Sequence, residues 1–144
     1  MKRICLILFF LAASAAAFAS EPKLISIETS ETQMLLYVQE NGEVSFYHYG
    51  KKFDRPEQIS GYSSYRRWDY GTEPPAYPAR GGRYFNQAAL AVKYSTGELN
   101  TELLYEGHSV RNLSDAVVRT VVSLKDSKSD LSVDLYYDAY QKED

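Results

Sequence analysis

An alternation of period two runs through short stretches of the chain from Leu24 onward. Leu24-Ile25-Ser26-Ile27 and Gln33-Met34-Leu35-Leu36-Tyr37-Val38-Gln39 are β-rich runs, and Val44-Ser45-Phe46-Tyr47-His48-Tyr49 is a third. In the third, alternation predicts Val44, Phe46 and His48 on one face and Ser45, Tyr47 and Tyr49 on the other. Gly50 is expected to end it. Asn41-Gly42 separates the second and third runs and predicts a hairpin, because both residue types tolerate a positive φ.

The second half repeats the theme. Ala89, Ala91 and Lys93 alternate with Leu90, Val92 and Tyr94; Ser95-Thr96-Gly97 then predicts a turn, and Glu98 to Tyr105 a returning strand. Val117 to Leu124 and Leu131 to Tyr137 follow, joined by the polar turn Lys125-Asp126-Ser127-Lys128-Ser129-Asp130. Leu131, Val133, Leu135 and Tyr137 are expected to fill one face against Ser132, Asp134 and Tyr136, a strand with one buried side. No stretch after the first 19 residues has helical periodicity. The pattern predicts an all-β protein, an antiparallel β-sandwich. The chain stops at Asp144, soon after a strand, so the sandwich is expected to be incomplete at its C-terminus.

Between these halves, Lys51 to Arg83 shows no sustained period and holds four of the five prolines. A loop of this length in a small domain is usually functional or disordered, and its aromatic cluster argues against disorder. That cluster is Tyr62, Tyr65, Arg66, Arg67, Trp68, Asp69 and Tyr70.

The start of the chain sets the expected compartment. Lys2 and Arg3, the apolar run Ile4 to Leu11 and the A-x-A site Ala17-Phe18-Ala19 predict a signal peptide over residues 1–19. The run is shorter than the ~20 residues a membrane span requires. The mature chain is then expected to be periplasmic or extracellular and free of the membrane. Cys5, the only cysteine, lies in this leader, so the mature part offers no disulfide, thiol nucleophile or thiolate metal site. Of 16 basic residues, Lys2 and Arg3 leave with the leader, and 14 face 19 acidic ones, a net charge of about −5. That balance, with basic residues interspersed among acidic ones, argues against nucleic-acid binding. Thirteen tyrosines suit half-buried sheet faces and equally suit sugar or peptide surfaces.

Candidate chemistry is sparse. His48 and His108 are the only histidines; both read as structural residues of strands, and they do not have metal-site spacing. No G-x-S-x-G elbow occurs. Glu98, Glu102, Glu106, Asp130 and Asp134 read as solvated faces or turns rather than as the paired carboxylates of glycoside cleavage. Asn112-Leu113-Ser114 matches a glycosylation sequon. Arg66-Arg67-Trp68-Asp69-Tyr70 is the candidate site: an aromatic ring stacks on a sugar face while Arg or Asp holds hydroxyls. The competing role for these residues is to lock the loop onto the sandwich or onto another domain.

Several ordered segments carry a resemblance. They are Phe46-Tyr47-His48-Tyr49-Gly50, Tyr65-Arg66-Arg67, Asp69-Tyr70-Gly71-Thr72, Ala76-Tyr77-Pro78 and Asn100-Thr101-Glu102-Leu103-Leu104-Tyr105 with Gly107-His108. From about Ile25 to Tyr140 the chain resembles the amino-terminal region of exported bacterial α-galactosidases of glycoside hydrolase family 36. The resemblance implies a large β-sandwich (a supersandwich) spanning residues 20–144 in part, followed in the complete enzyme by a (β/α)₈ barrel and a small β domain. It implies hydrolysis of terminal α-linked galactose from melibiose- and raffinose-type sugars with retention, by two barrel aspartates and without metal or organic cofactor. The lysine-tryptophan-aspartate segment that carries the family's nucleophile does not occur in this chain, so no catalytic residue is expected here. The family's sandwich helps to build tetramers and brings an acidic residue to the galactose. Asp69, with Trp68 beside it, is the best match for that residue, and Asp54 is the competing choice. The alternative to this reading is a stand-alone carbohydrate-binding or assembly module without catalysis.

Overall fold

The computed structural model describes residues 23–55, 74–81 and 87–142. The leader lies outside the described residues. Six strands run β1 (Lys23–Glu28), β2 (Thr32–Val38), β3 (Val44–Lys51), β4 (Leu103–Ser114), β5 (Val117–Asp126) and β6 (Ser132–Tyr140). They form two antiparallel sheets, β1-β2-β3 and β4-β5-β6. Among the described residues the chain is all-β, and its sheets pack face to face as a sandwich.

Alternation explains the packing. Ile25, Ile27, Leu36, Val38 and Val44 point from the first sheet into one cluster with Val122, Leu124 and Ala139 of the second. Leu103, Tyr105, Val133, Leu135 and Tyr137 pack around it. The last strand therefore has the one-sided face that its sequence predicts, with Ser132, Asp134 and Tyr136 exposed. Main-chain and side-chain bonds tie the layers together: the Tyr105 N–H donates to the Gly42 carbonyl (2.8 Å), and Gln141 Nε2 donates to the Glu28 carbonyl (2.8 Å).

The β2–β3 hairpin forms around Asn41-Gly42, but only Gly42 takes a positive φ (86°). Gln39 and Glu43 close it, leaving a three-residue loop whose last position is left-handed, which glycine occupies at no steric cost.

Three expectations change. First, β3 contains a bulge: Leu35 pairs with His48 and Leu36 with Phe46, which leaves Tyr47 as the extra residue. One inserted residue reverses the alternation beyond it. His48 therefore lies on the face opposite to Phe46, and the strand runs through Gly50 to Lys51.

Second, Ala89 to Tyr94 forms no strand ladder with the returning chain, which it meets only at its end, where the Tyr94 N–H donates to the Glu98 carbonyl (3.0 Å). Its inside–outside alternation is real, with Leu90, Val92 and Tyr94 half-buried and Ala89, Ala91 and Lys93 exposed. Its other main-chain bonds go elsewhere, however. The Ala89 N–H donates to the Pro78 carbonyl (2.8 Å), and the Leu90 carbonyl accepts from the Arg80 N–H (2.8 Å). Of the expected hairpin, the tight turn at Ser95-Thr96-Gly97 and the bond that flanks it survive, with the Gly97 N–H donating to the Tyr94 carbonyl (2.9 Å).

Third, the strand expected to end near Tyr105 continues to Ser114 and pairs with β5. Glu106 and Leu113 are its bulged residues, and they let the chain stay in register across 12 residues. His108 is thus mid-strand rather than at a strand end.

Candidate functional site

Trp68 and Asp69, with Arg66, Arg67 and Tyr70, lie outside the described residues. Of the sequence-derived candidates, Asp54 is placed. It stands three residues beyond the end of β3 and is exposed, and among the described residues its carboxylate has no bonding partner. Two aromatic rings lie together just before it in the chain: His48 and Phe53 meet at a centroid distance of 4.3 Å, and Phe53 is 41% exposed, whereas the exposed Tyr49 is on the opposite face of β3. An open carboxylate beside an exposed ring is chemically suited to sugar hydroxyls and the apolar face of a pyranose.

The chain reaching Asp54 is held from β1 and β2. Gln33 is 1% exposed, and its Nε2 donates to Glu28 Oε1 and Ser26 Oγ, both at 2.9 Å. Its Oε1 accepts from the Phe53 N–H (3.3 Å). Lys52 pairs with Glu28 at 3.2 Å, and the Lys52 N–H donates to the Glu31 carbonyl (3.1 Å). The Ser26 hydroxyl holds the Glu28 carboxyl below the usual carboxylate range against the opposing effect of burial, with further help from Lys52 and Gln33.

A second polar centre sits where the family-like segments meet. Asp126 is 3% exposed. Its Oδ1 accepts from the Glu102 N–H (2.8 Å), and its Oδ2 accepts from Tyr94 Oη (3.1 Å) and Ser129 Oγ (2.7 Å). Burial pushes its carboxyl up, but the bonds from Ser129, the Glu102 amide and Tyr94 prevail and hold it below the usual range. The Thr101 N–H donates to the Arg80 carbonyl (2.9 Å), so residues 78–81, 89–90, 94–102 and 126–129 form one laced unit. This centre is structural: its carboxylate is saturated and faces inward.

The remaining candidates resolve plainly. His108 Nδ1 bonds Tyr105 Oη at 2.7 Å, and Lys23 Nζ donates to the same oxygen (3.2 Å). Burial, and then the Lys23 charge, push the His108 imidazole below its ordinary value. Glu98, Glu102, Glu106, Asp130 and Asp134 are all exposed; Ser127 donates to Glu102 (2.6 Å) and Ser123 to Asp134 (2.7 Å). Asn112 lies exposed near the end of β4. Among the described residues no group of three or more His, Cys, Asp or Glu could hold a metal ion. No described helix is long and apolar enough to cross a membrane.

Sequence reasoning missed Gln33, Asp126 and the Arg119–Asp138 pair. Asp126 reads as one residue of a polar turn, and Gln33 as the polar edge of an apolar run. Arg119 and Asp138 face each other across β5 and β6 through two bonds, at 2.6 and 2.7 Å, a pairing that depends on register.

These features describe an antiparallel sandwich with an aromatic, acidic exit from one sheet. The model of the glycosyl hydrolase family 36 N-terminal domain matches residues 42–144, and the chain belongs to that family, which relates it to α-galactosidases. Solved structures share the fold. The α-galactosidase from Lactobacillus brevis matches with a TM-score of 0.70 and 19% identity, over 85% of this chain and 20% of its own. The family 36 α-galactosidase AgaA from Geobacillus stearothermophilus matches at 0.68 and 18%, over 83% and 20%. A variant of AgaA in complex with raffinose matches at 0.68 and 19%, again over 83% and 20%. The chain therefore spans about a fifth of the length of these enzymes. No curated protein matches it.

Proposed function

We propose that this chain is the amino-terminal sandwich of an exported α-galactosidase that removes terminal α-linked galactose from melibiose- and raffinose-type sugars with retention. The family match over residues 42–144 carries the reading, because it covers the sandwich strands β3 to β6 in order. In this reading the two catalytic carboxylates belong to a downstream (β/α)₈ barrel, and the sandwich shapes the sugar site and supports assembly into a tetramer. Asp54, or Asp69 with Trp68, accepts hydrogen bonds from galactose hydroxyls. Residues 1–19 direct export to the periplasm or beyond and are then removed.

The test is a comparison of two polypeptides on a chromogenic α-galactoside. This chain alone should release no chromophore, whereas the polypeptide that also carries the barrel should turn over, with the α-anomer of galactose as first product by NMR. Turnover by this chain alone would overturn the assignment of catalysis to the barrel. Calorimetric titration of this chain with raffinose addresses the stand-alone binding module: saturable binding lost on Trp68→Ala would favour that role instead.

A further inference from the structure

We propose that Gln33 is a positioning residue, which fixes the main chain at Phe53 and so aims the Asp54 carboxylate at a galactoside hydroxyl. The inference rests on the functional reading above. It starts from a conflict of bonding types. Glu28 Oε1 can only accept and the Phe53 N–H can only donate, yet both point at the same buried position. Among side chains of this length, the primary amide of Gln offers a donor to one and an acceptor to the other without taking up a proton, as a Glu would have to. Gln33 satisfies both, and its second amide hydrogen bond goes to Ser26.

The consequence is local rigidity at one place. Gln33 sits mid-sheet, paired with Glu28 and Gly50, and is 1% exposed, so it cannot follow a moving loop. Lys52 is held on the same side through Glu28 and Glu31, and the Phe53 ring is held against His48. The bulge at Tyr47 makes the last contact possible, because it turns His48 to the face on which Gln33 lies. Three anchors on consecutive structure thus precede Asp54, whose own carboxylate stays open. A fixed main chain with a free acceptor is what a precise hydroxyl contact requires.

The test uses the enzyme that carries this domain, with Gln33→Met, Asp54→Asn and the double variant. Gln33→Met keeps the volume and removes both bonding roles. If Gln33 acts through Asp54, each single variant raises KM for raffinose roughly tenfold with kcat little changed, and the double variant adds nothing further. Additive effects, or a fall in kcat at constant KM, would overturn the proposal. Amide exchange supplies the second readout: the Phe53 amide should lose protection in Gln33→Met while Val122 and Leu124 keep theirs. Loss of protection in β5 as well would reduce Gln33 to a stability residue. An unchanged KM in Asp54→Asn would sink this inference and leave the α-galactosidase reading standing. Absence of turnover by the unsubstituted enzyme would instead remove that reading itself.

Discussion

At the residue scale, the chain contains buried polar groups that act as fasteners rather than as chemistry. Asp126 is the clearest: Tyr94, the Glu102 amide, Ser129 and the Lys128 amide converge on it from the 94–102 segment and the β5–β6 turn. Removing its charge leaves those donors undersatisfied in a dry place, a cost of about 1–3 kcal/mol. Asp126→Asn should lower stability by that amount in urea unfolding at pH 7. The pH dependence follows from the direction of the shift. The folded carboxyl titrates below its unfolded value, so its contribution is complete above that value and is lost as pH falls through the folded pKa. The gap between the native chain and Asp126→Asn should therefore close as pH falls below the carboxylate range. None of this was legible in the sequence, where Asp126 is one acid among several in a polar linker.

At the element scale, the one-sided last strand and the Asn41-Gly42 hairpin were legible, and the partners of the segment from Ala89 to Tyr94 were not. β6 matches its alternation because a single sheet face meets the core. Ala89 to Tyr94 shows the same alternation, yet its main chain bonds to residues 78–80 and forms no ladder. Alternation reports burial on one side; it does not report the partner. Gly81 shows what holds this region. Its φ is 137°, and an added Cβ would stand 2.8 Å from the Thr101 backbone nitrogen and closer still to the Asn100 side chain. The backbone there is pinned by the Thr101 bond to Arg80 and cannot yield. Gly81→Ala should cost about 1–3 kcal/mol, measured by chemical denaturation. Gly97→Ala has no neighbour to meet within 4 Å and pays only for its φ of 88°, so it should cost less.

At the scale of the whole molecule, two three-stranded sheets share one apolar core, and neither closes it alone. Leu36 is fully buried at the centre of β2, on the face that meets β5 and β6. Leu36→Ala should lower stability by about 2–5 kcal/mol, through lost transfer energy and the cavity left behind. A single cooperative thermal transition displaced to lower temperature is expected, with both sheets melting together. Separate transitions for the two halves would show that the sheets do not share their core energetically.

The sequence by itself determined the β class, most of the strands and which residues of β6 face inward, since period-two burial is a local property of an extended chain. Its ordered segments also carried the likeness to family 36, which the family model bears out over residues 42–144. Only the tertiary structure decided the partners. It reversed His48 through one bulged residue, extended β4 to Ser114, made a buried anion of Asp126 and set Gln33 behind Asp54. Each depends on register or on contacts between segments far apart in the chain, and no local pattern encodes those.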